Sequence, residues 1–236
     1  MQPLNQWLLP KWSISTSEER LLIRCEEPFR ACSNALWNGG FYQGYGILNQ
    51  RVDHDYHSSD PLADIQRRIE ELGEEPEKFI GMLTAAQVSA AGTACLQGDQ
   101  FRLCAVVTAG VGNAVRAGQA QKTYSAYRAD TINTIVMLDA NLTDSAVVNA
   151  LVTATEAKTA ALQDAGVMDA LGRTATGTST DVVVIAARRI DGNLPTHQYA
   201  GTATSLGDSL AKSVYTATVT AVEQERIRGR RRETHR

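Results

Sequence analysis

The apolar run from Ile132 to Leu138 is mostly β-branched and aliphatic, which is typical of a buried strand. The spacing of apolar and small residues then becomes helical; Thr143 is placed to cap this helix and Gly166 to end it in a left-handed turn. A polar turn, Asp139–Asp144, lies between them, so the pattern predicts one strand–turn–helix unit. The predicted buried face of the helix comprises Val148, Leu151, Val152, Thr155, Thr159 and Leu162.

Shorter apolar runs on either side of this unit predict the other elements. Residues 1–20 contain prolines and a polar patch, which predict a lead-in poor in strands. Gly98-Asp99 predicts the turn of an antiparallel hairpin whose second strand begins at Phe101. Thr204 or Ser205 is placed to cap a final helix. The remaining predictions are strands Leu21–Cys25 and Val182–Ala187, a helix Leu62–Leu72, and a buried stripe at Leu206, Leu210, Val214, Ala217 and Ala221.

Together these elements predict an α/β (α+β) fold, a single layered domain in which a mixed β-sheet is packed by alanine-rich helices. A chain of 236 residues suits one domain, which we place at residues 1–225. Residues 224–236 carry a net charge of +4, which leaves −7 on the rest of a chain whose net charge is −3. An arginine-rich terminus without aromatic residues is typical of a solvated tail, so residues 226–236 are predicted to be disordered rather than to bind nucleic acid.

Composition and cysteine spacing narrow the class of protein. Apolar content of 43% and charged content of 21% are typical of a globular domain. No apolar run reaches the roughly 18 residues of a membrane span, and the first residues lack the pattern of a signal peptide. The four cysteines contain no CxxC pair, so we expect reduced thiols in a cytoplasmic protein.

Two segments suggest ligands without specifying them. Asp53, Asp55 and His57 alternate, so an extended chain would present them on one face, as metal ligands could be. Their spacing matches no strong metal motif and a polar loop would look the same, so we predict no metal. The segment 108–113 follows a strand, and its glycines free backbone N–H groups to face an anion or an amide. It lacks the lysine and the third glycine of nucleotide-binding loops.

Several segments resemble the adenosylcobinamide amidohydrolase family, and they run in order from about Asn34 to Val222. The resemblance implies an enzyme that hydrolyses the amide linking aminopropanol to the corrin ring of adenosylcobinamide, giving adenosylcobyric acid in cobamide (vitamin B12) salvage. It implies a small-molecule corrinoid as substrate, no separate cofactor, and neither a nucleic acid nor a membrane as partner; it leaves homo-oligomers open. The matching segments are 81–86, 107–118, 131–136, 139–144, 154–162 and 176–181.

No motif reveals the mechanism, because the chain has no GxSxG elbow, no cysteine beside an obvious histidine and no HExxH helix. We expect the site to gather the loops at 108–116, 131–144 and 176–181. Glu156 is the preferred general base because it shares a helix face with Asn149 and Thr153 among alanines. The other catalytic candidates are Asp139, Thr178 and Ser179, and the candidate substrate-binding residues are Asn49, Thr84, Thr108, Gly110, Gly112, Asn113, Arg116, Asn133, Asn141 and Asp181.

The residues leave several alternatives open. Catalysis could proceed through a covalent acyl-enzyme or through a directly activated water. The chain could instead be a corrinoid-binding or carrier protein without turnover, or an amidase of unrelated substrates on the same scaffold. His197 lies near a late turn, where a surface imidazole is expected.

Overall fold

A computed structural model describes residues 9–120, 130–190, 192 and 194–233 of the chain. In these ranges the chain forms an α/β structure in which a mixed sheet is flanked by helices, as the sequence predicted. The strands are β1 (Trp12–Thr16), β2 (Arg20–Ser33), β3 (Gly40–Arg51), β4 (Phe79–Thr84), β5 (Gly92–Gly98), β6 (Phe101–Ala109), β7 (Ile132–Asp139) and β8 (Val182–Arg188). The helices are α1 (Pro61–Glu70), α2 (Asp144–Asp164) and α3 (Ser205–Glu233).

The described strands form one sheet in the order β4-β3-β2-β8-β7-β6-β5, with β1 paired to the first half of β2. The pairs β3–β4 and β7–β8 are parallel, and the other pairs are antiparallel. Strand β2 pairs with β8 only through its second half, after a shift of register between Arg24 and Phe29. Such a shift bends a strand, so β2 joins the two halves of the sheet at an angle.

The two halves face each other across a shared apolar layer. Ile23, Ile47 and Met82 come to this layer from β2, β3 and β4, and Ile135 and Val184 come from β7 and β8. Alternate residues of the strands point the other way. Those of β6, β7 and β8 pack against α2 and α3, and those of β2, β3 and β4 pack against α1. The fold therefore has four layers, and both faces of most strands are buried.

The helix caps follow the prediction, but the buried face of α2 does not. The Thr143 side chain accepts from the N–H of Ala146, and Gly166 adopts a positive φ of 62° just after α2. Val148 and Val152, predicted to be buried, are 44% and 46% exposed. Because small side chains allow closer helix packing, α2 instead presents alanines to α3 and the sheet. The buried alanines are Ala146, Ala150, Ala154, Ala157 and Ala161.

The predicted apolar stripe of α3 is confirmed, but the C-terminal segment differs from the prediction. All the stripe residues from Leu206 to Ala221 are buried, and Thr204 caps the helix by accepting from the N–H of Gly207. The helix continues to Glu233, so residues 226–233 are helical where a disordered tail was expected. Residues 234–236 of that tail, and residues 1–8 of the predicted lead-in, lie outside the described residues.

Two further expectations are corrected. The lead-in contains β1, which pairs with β2 in register from Trp12 opposite Cys25. Cys95 and Cys104 form a disulfide across the β5–β6 hairpin, where reduced thiols were expected, while Cys25 and Cys32 are free. Among the described residues, no helix has the length and apolarity that a membrane span requires.

Candidate functional site

A chain of buried amide and hydroxyl side chains connects the two halves of the sheet near the ends of β3 and β6. Asn49 Nδ2 donates to Thr108 Oγ1 at 3.0 Å, and Asn133 Nδ2 donates to Asn49 Oδ1 at 2.8 Å. Asn133 Nδ2 also donates to the carbonyl of Leu83 at 3.2 Å, and Thr84 lies beside it, with its hydroxyl accepting from the N–H of Ala86. Burial of polar groups is costly unless they are hydrogen-bonded, and these bonds offset that cost.

Strand register explains why these residues meet. Thr108 near the end of β6 is directly opposite Asn133 at the start of β7, because the two strands are antiparallel. Strand β8 runs parallel to β7 and begins at the same end, with Val182 opposite Asn133. The segment 176–181 that precedes β8 therefore reaches the same region. Three polar stretches that are far apart in sequence thus converge at one end of the sheet.

Asp181 is the charged centre of this region. Its Oδ2 forms an ion pair with Lys158 Nζ from α2, in which the two side chains are 12% and 6% exposed. Its Oδ1 accepts from the Thr178 hydroxyl and, at 3.1 Å, from the backbone N–H of Ile132. Position 177 has room only for glycine, because a Cβ there would lie 2.4 Å from Asp181 Oδ2 and 2.9 Å from Lys158 Nζ. The carboxylate is therefore held from several sides.

The glycine segment 110–113 lies beside this carboxylate network. The Gly110 N–H donates to the carbonyl of Thr131 at 2.9 Å, which fixes the segment against the start of β7. Asn113 Nδ2 donates to Ser179 Oγ at 3.0 Å, while Asn113 Oδ1 is buried and has no hydrogen-bond partner in the part of the chain that the structure describes. Arg116 donates to the carbonyl of Thr174 at 2.9 Å, so it holds the neighbouring loop. This buried amide oxygen is therefore left without a donor among the described residues.

Asp130 links the glycine segment to the loop after β3. His54 Nδ1 lies 3.2 Å from Asp130 Oδ1, and the two side chains are 55% and 29% exposed. The Asp130 carboxylate lies so close to Gly112 that a Cβ there would be 2.7 Å from Oδ2. The backbone carbonyl of Asp130 accepts from the Thr180 hydroxyl at 3.3 Å. A histidine–carboxylate pair thus borders the same region.

Most of the predicted site residues meet in this region, which we call the polar cluster. The cluster consists of the candidates named at the end of this paragraph and the residues that contact them. Their roles remain predictions. The candidates in the cluster are Asn49, Thr84, Thr108, Gly110, Gly112, Asn113, Arg116, Asn133, Thr178, Ser179 and Asp181.

Asp139 and Asn141 do not reach the polar cluster, so the predicted 131–144 loop is divided between the two ends of β7. At about 3.3 Å per residue, Asp139 lies roughly 20 Å from Asn133 along the strand. The Asp139 carboxylate accepts from Arg188 at 2.9 and 2.7 Å and from Trp12 Nε1 at 2.8 Å. The hydrogen bonds that Arg188 donates to Asp139 raise the pKa of Arg188 above its usual value. Asn141 Oδ1 accepts from the N–H of Ile190.

Glu156 also lies apart from the polar cluster. It is exposed, and its carboxylate accepts from the Thr202 hydroxyl at 3.0 Å. The neighbours that it shares a face with hold the same loop, because Asn149 Oδ1 accepts from the N–H of Ala200 and Thr153 donates to the Ala200 carbonyl. This alanine-lined face of α2 therefore binds the segment that leads into α3.

The sequence reasoning missed several members of the polar cluster. Lys158 was set aside because it does not share the helix face of Glu156, yet it is the buried partner of Asp181. Thr131 donates to the carbonyl of Thr180 at 2.8 Å, and Asn34 donates to that of Asp181 at 2.7 Å. Lys158 and Thr131 lie inside the segments that carried the family resemblance, which was the available signal. His197, expected at the surface, is half-buried, with its ring edge-on to Phe101.

Clefts open toward both ends of the sheet. One of about 420 Å³ is lined by Gln50, Leu83 and charged residues that include Arg51 and Asp53, so it adjoins the ends of β3 and β4. Another of about 510 Å³ lies at the opposite end, beside Asn141. No group of three or more His, Cys, Asp or Glu side chains among the described residues is arranged to hold a metal ion.

The geometry brings hydroxyls, amides, a buried ammonium–carboxylate pair and a histidine–carboxylate pair to one place. The chain matches the model of the adenosylcobinamide amidohydrolase family over residues 9–230. It therefore belongs to that family of amidohydrolases, which act on carbon–nitrogen bonds.

The chain is also similar to individual relatives, and it aligns with solved structures at low identity. The chain is 30% identical over 205 residues to the adenosylcobinamide amidohydrolase of Methanosarcina mazei, covering 84% of this chain and 90% of the relative. It is 29% identical over 180 residues to the uncharacterized protein MJ1613 of Methanocaldococcus jannaschii, covering 68% and 69% of the two chains. The PH0078 protein of Pyrococcus horikoshii OT3 aligns at 12% identity with a TM-score of 0.45, covering 89% of this chain and 79% of that one. A Burkholderia sp. beta-aminopeptidase aligns at 13% identity with a TM-score of 0.43, covering 87% and 79%.

Proposed function

We propose that this protein hydrolyses the aminopropanol amide of adenosylcobinamide to adenosylcobyric acid and aminopropanol, as a step of cobamide salvage. The observation that carries the proposal is the family match over residues 9–230, supported by the relative of that name at 30% identity. The corrinoid is the substrate, and the reaction as proposed uses no resident cofactor.

The polar cluster offers a nucleophile already paired with a carboxylate. The Thr178 hydroxyl donates to Asp181 Oδ1, and this bond fixes the position of the hydroxyl oxygen in the cluster. The Lys158 ammonium on the other carboxylate oxygen holds Asp181 in place. Ser179, whose Oγ accepts from Asn113, is the neighbouring alternative. We place the acyl carbon of the substrate beside Thr178.

The glycine segment offers the groups that an amide requires. The backbone N–H of Asn113 has no hydrogen-bond partner within the described ranges, and we assign it to the stabilisation of an oxyanion. The unpartnered Asn113 Oδ1 is an acceptor and suits the N–H of the scissile amide. Asn133 is different, because both hydrogens of its amide nitrogen are used by Asn49 and Leu83. Asn133 therefore shapes the floor of the site rather than donating to the substrate.

The direct test is to incubate purified protein with adenosylcobinamide and to follow adenosylcobyric acid and aminopropanol by liquid chromatography with mass detection. Both products should appear, and Thr178→Val should abolish them while a corrinoid still binds. A parallel reaction with a chelator tests whether a metal ion takes part. Corrinoid that co-elutes with the wild-type protein on gel filtration without products would support a carrier. If neither products nor bound corrinoid are found, the proposal is overturned. A panel of simple amides would then reveal an amidase of other substrates.

A further inference from the structure

His54 and Asp130 form a close pair at the border of the polar cluster. With Asp130 Oδ1 3.2 Å from Nδ1, the carboxylate favours the tautomer that carries its proton on Nδ1. Nε2 then presents a lone pair on a side chain that is 55% exposed. A carboxylate beside one ring nitrogen can orient a histidine for proton transfer at the other.

The position of Asp130 connects this pair to the other reacting groups. Its carboxylate packs on Gly112, and its carbonyl accepts from Thr180, which follows the candidate nucleophiles Thr178 and Ser179. His54 comes from a different part of the chain, the loop after β3, whose preceding residues include Asn49 of the buried amide chain. The imidazole is thus an exposed group at the border of the cluster.

We propose that His54 transfers protons during amide cleavage and that Asp130 is the positioning residue that orients it; this inference rests on the proposed function. His54 Nε2 removes the proton from the attacking hydroxyl as its oxygen bonds to the amide carbon. His54 then gives that proton to the amide nitrogen as the C–N bond breaks, and the electron pair of the bond stays on the nitrogen of the departing aminopropanol. In the second half, water attacks the ester, its proton passes through His54 back to the hydroxyl oxygen, and the carboxylic acid is released.

The test compares His54→Gln, His54→Gly and Asp130→Asn with His57→Gln and Asp55→Asn, which remove the same groups from exposed positions of the same loop. General acid–base groups contribute about 10²- to 10⁴-fold to rate, so His54→Gln should lower kcat by that factor while corrinoid binding stays unchanged. The two control variants should retain wild-type kcat. Added imidazole should restore activity to His54→Gly, and it should fail to do so when Asp130→Asn is also present, because the added ring then has no orienting partner.

A second substrate separates failure of this inference from failure of the proposed function. p-Nitrophenyl acetate needs no corrinoid pocket, and the same variants are assayed with it. If the wild type cleaves this ester but not adenosylcobinamide, and His54→Gln loses the ester activity, the proton-transfer role stands and the substrate assignment falls. Equal rates for His54→Gln and wild type on both substrates overturn the role of His54. A wild type that acts on neither substrate overturns both proposals.

Discussion

Lys158 of α2 and Asp181 before β8 form an ion pair in which the side chains are only 6% and 12% exposed. The pair joins the helical layer to the start of β8, and the same carboxylate accepts from Thr178 and from the N–H of Ile132. One buried contact therefore ties the packing of α2 to the placement of the candidate nucleophile. Stability and activity should respond together when it is broken.

Lys158→Met should destabilise the protein by about 3–5 kcal/mol, because it leaves the Asp181 carboxylate buried without its cation. Urea unfolding followed by circular dichroism measures the effect. Lys212→Met is the matched control: Lys212 pairs with Asp208 at the surface, where the side chains are 67% and 50% exposed. An exposed pair contributes at most about 1 kcal/mol. Equal changes in the two variants would contradict a special role for the buried pair.

Thr178→Val and Glu156→Gln distinguish the two proposed locations of the chemistry. Thr178→Val should lower kcat by on the order of 10³-fold or more, as removal of a nucleophile does. Glu156→Gln should change kcat little, because Glu156 is exposed and bonds to Thr202. Steady-state assays with adenosylcobinamide measure both, and intact-mass spectrometry of quenched wild type looks for an acyl-enzyme. If Glu156→Gln is inactive and Thr178→Val is active, the catalytic site lies on α2. If only Ser179→Ala loses activity, Ser179 is the nucleophile.

Asn113→Ala should raise KM by roughly 2- to 10-fold, the equivalent of one net hydrogen bond of about 0.5–1.5 kcal/mol. The reason is that Asn113 Oδ1, buried without a partner among the described residues, would lose its bond to the substrate N–H. Asn141→Ala removes the same amide at the other end of β7 and should leave KM unchanged, although loss of its bond to Ile190 costs stability. Unchanged KM for Asn113→Ala, or raised KM for Asn141→Ala, would contradict the placement of the substrate.

The sequence was most informative about the polar cluster where polar residues interrupt buried strands. Thr108 and Asn133 could be recognised because buried amides and hydroxyls are mostly hydrogen-bonded, so each points to partners nearby. The sequence could not show which end of β7 carries the polar cluster. That depends on β6 running antiparallel to β7 and β8 running parallel, which places the starts of β7 and β8 beside the end of β6. Asp139 looked equally suitable because a strand end is polar at either end of the sheet.

Other structural features depend on long-range contacts, which the periodicity of apolar residues in the sequence does not reveal. The spacing of apolar residues favoured a valine face on α2, but close packing against α3 and the sheet selected the alanine face. Lys158 was not among the predicted site residues because a buried lysine is recognised only through its partner, and Asp181 is 23 residues away. The disulfide, in contrast, could have been predicted from the sequence, because a hairpin with Gly98 opposite Phe101 places Cys95 opposite Cys104.

The cross-strand pairing of Cys95 with Cys104 leads to a prediction about which cysteines can be alkylated. Alkylation of the unfolded, unreduced protein should modify Cys25 and Cys32 alone, and all the cysteines should react after reduction. Cys104→Ala should destabilise the protein by about 2–3 kcal/mol, since the bond closes a short loop. Cys32→Ala, which removes a free and half-buried thiol, serves as the control in urea unfolding. Modification of every cysteine without reductant would show that the cross-strand pair remains reduced.

Burial raises the pKa of the Cys25 thiol from an ordinary value of 9.0 to about 11. The folded state then holds this proton more tightly than the unfolded state, so the contribution to stability is complete below pH 9 and is lost as pH rises toward 11. Alkylation of Cys25 in the native protein should accordingly remain slow until the pH approaches 11. Urea midpoints measured between pH 8 and pH 11.5 for wild type and Cys25→Ala isolate this thiol, because the other groups titrate in both proteins. The difference in stability between the two should shrink with rising pH, and a constant difference would contradict the role assigned to burial.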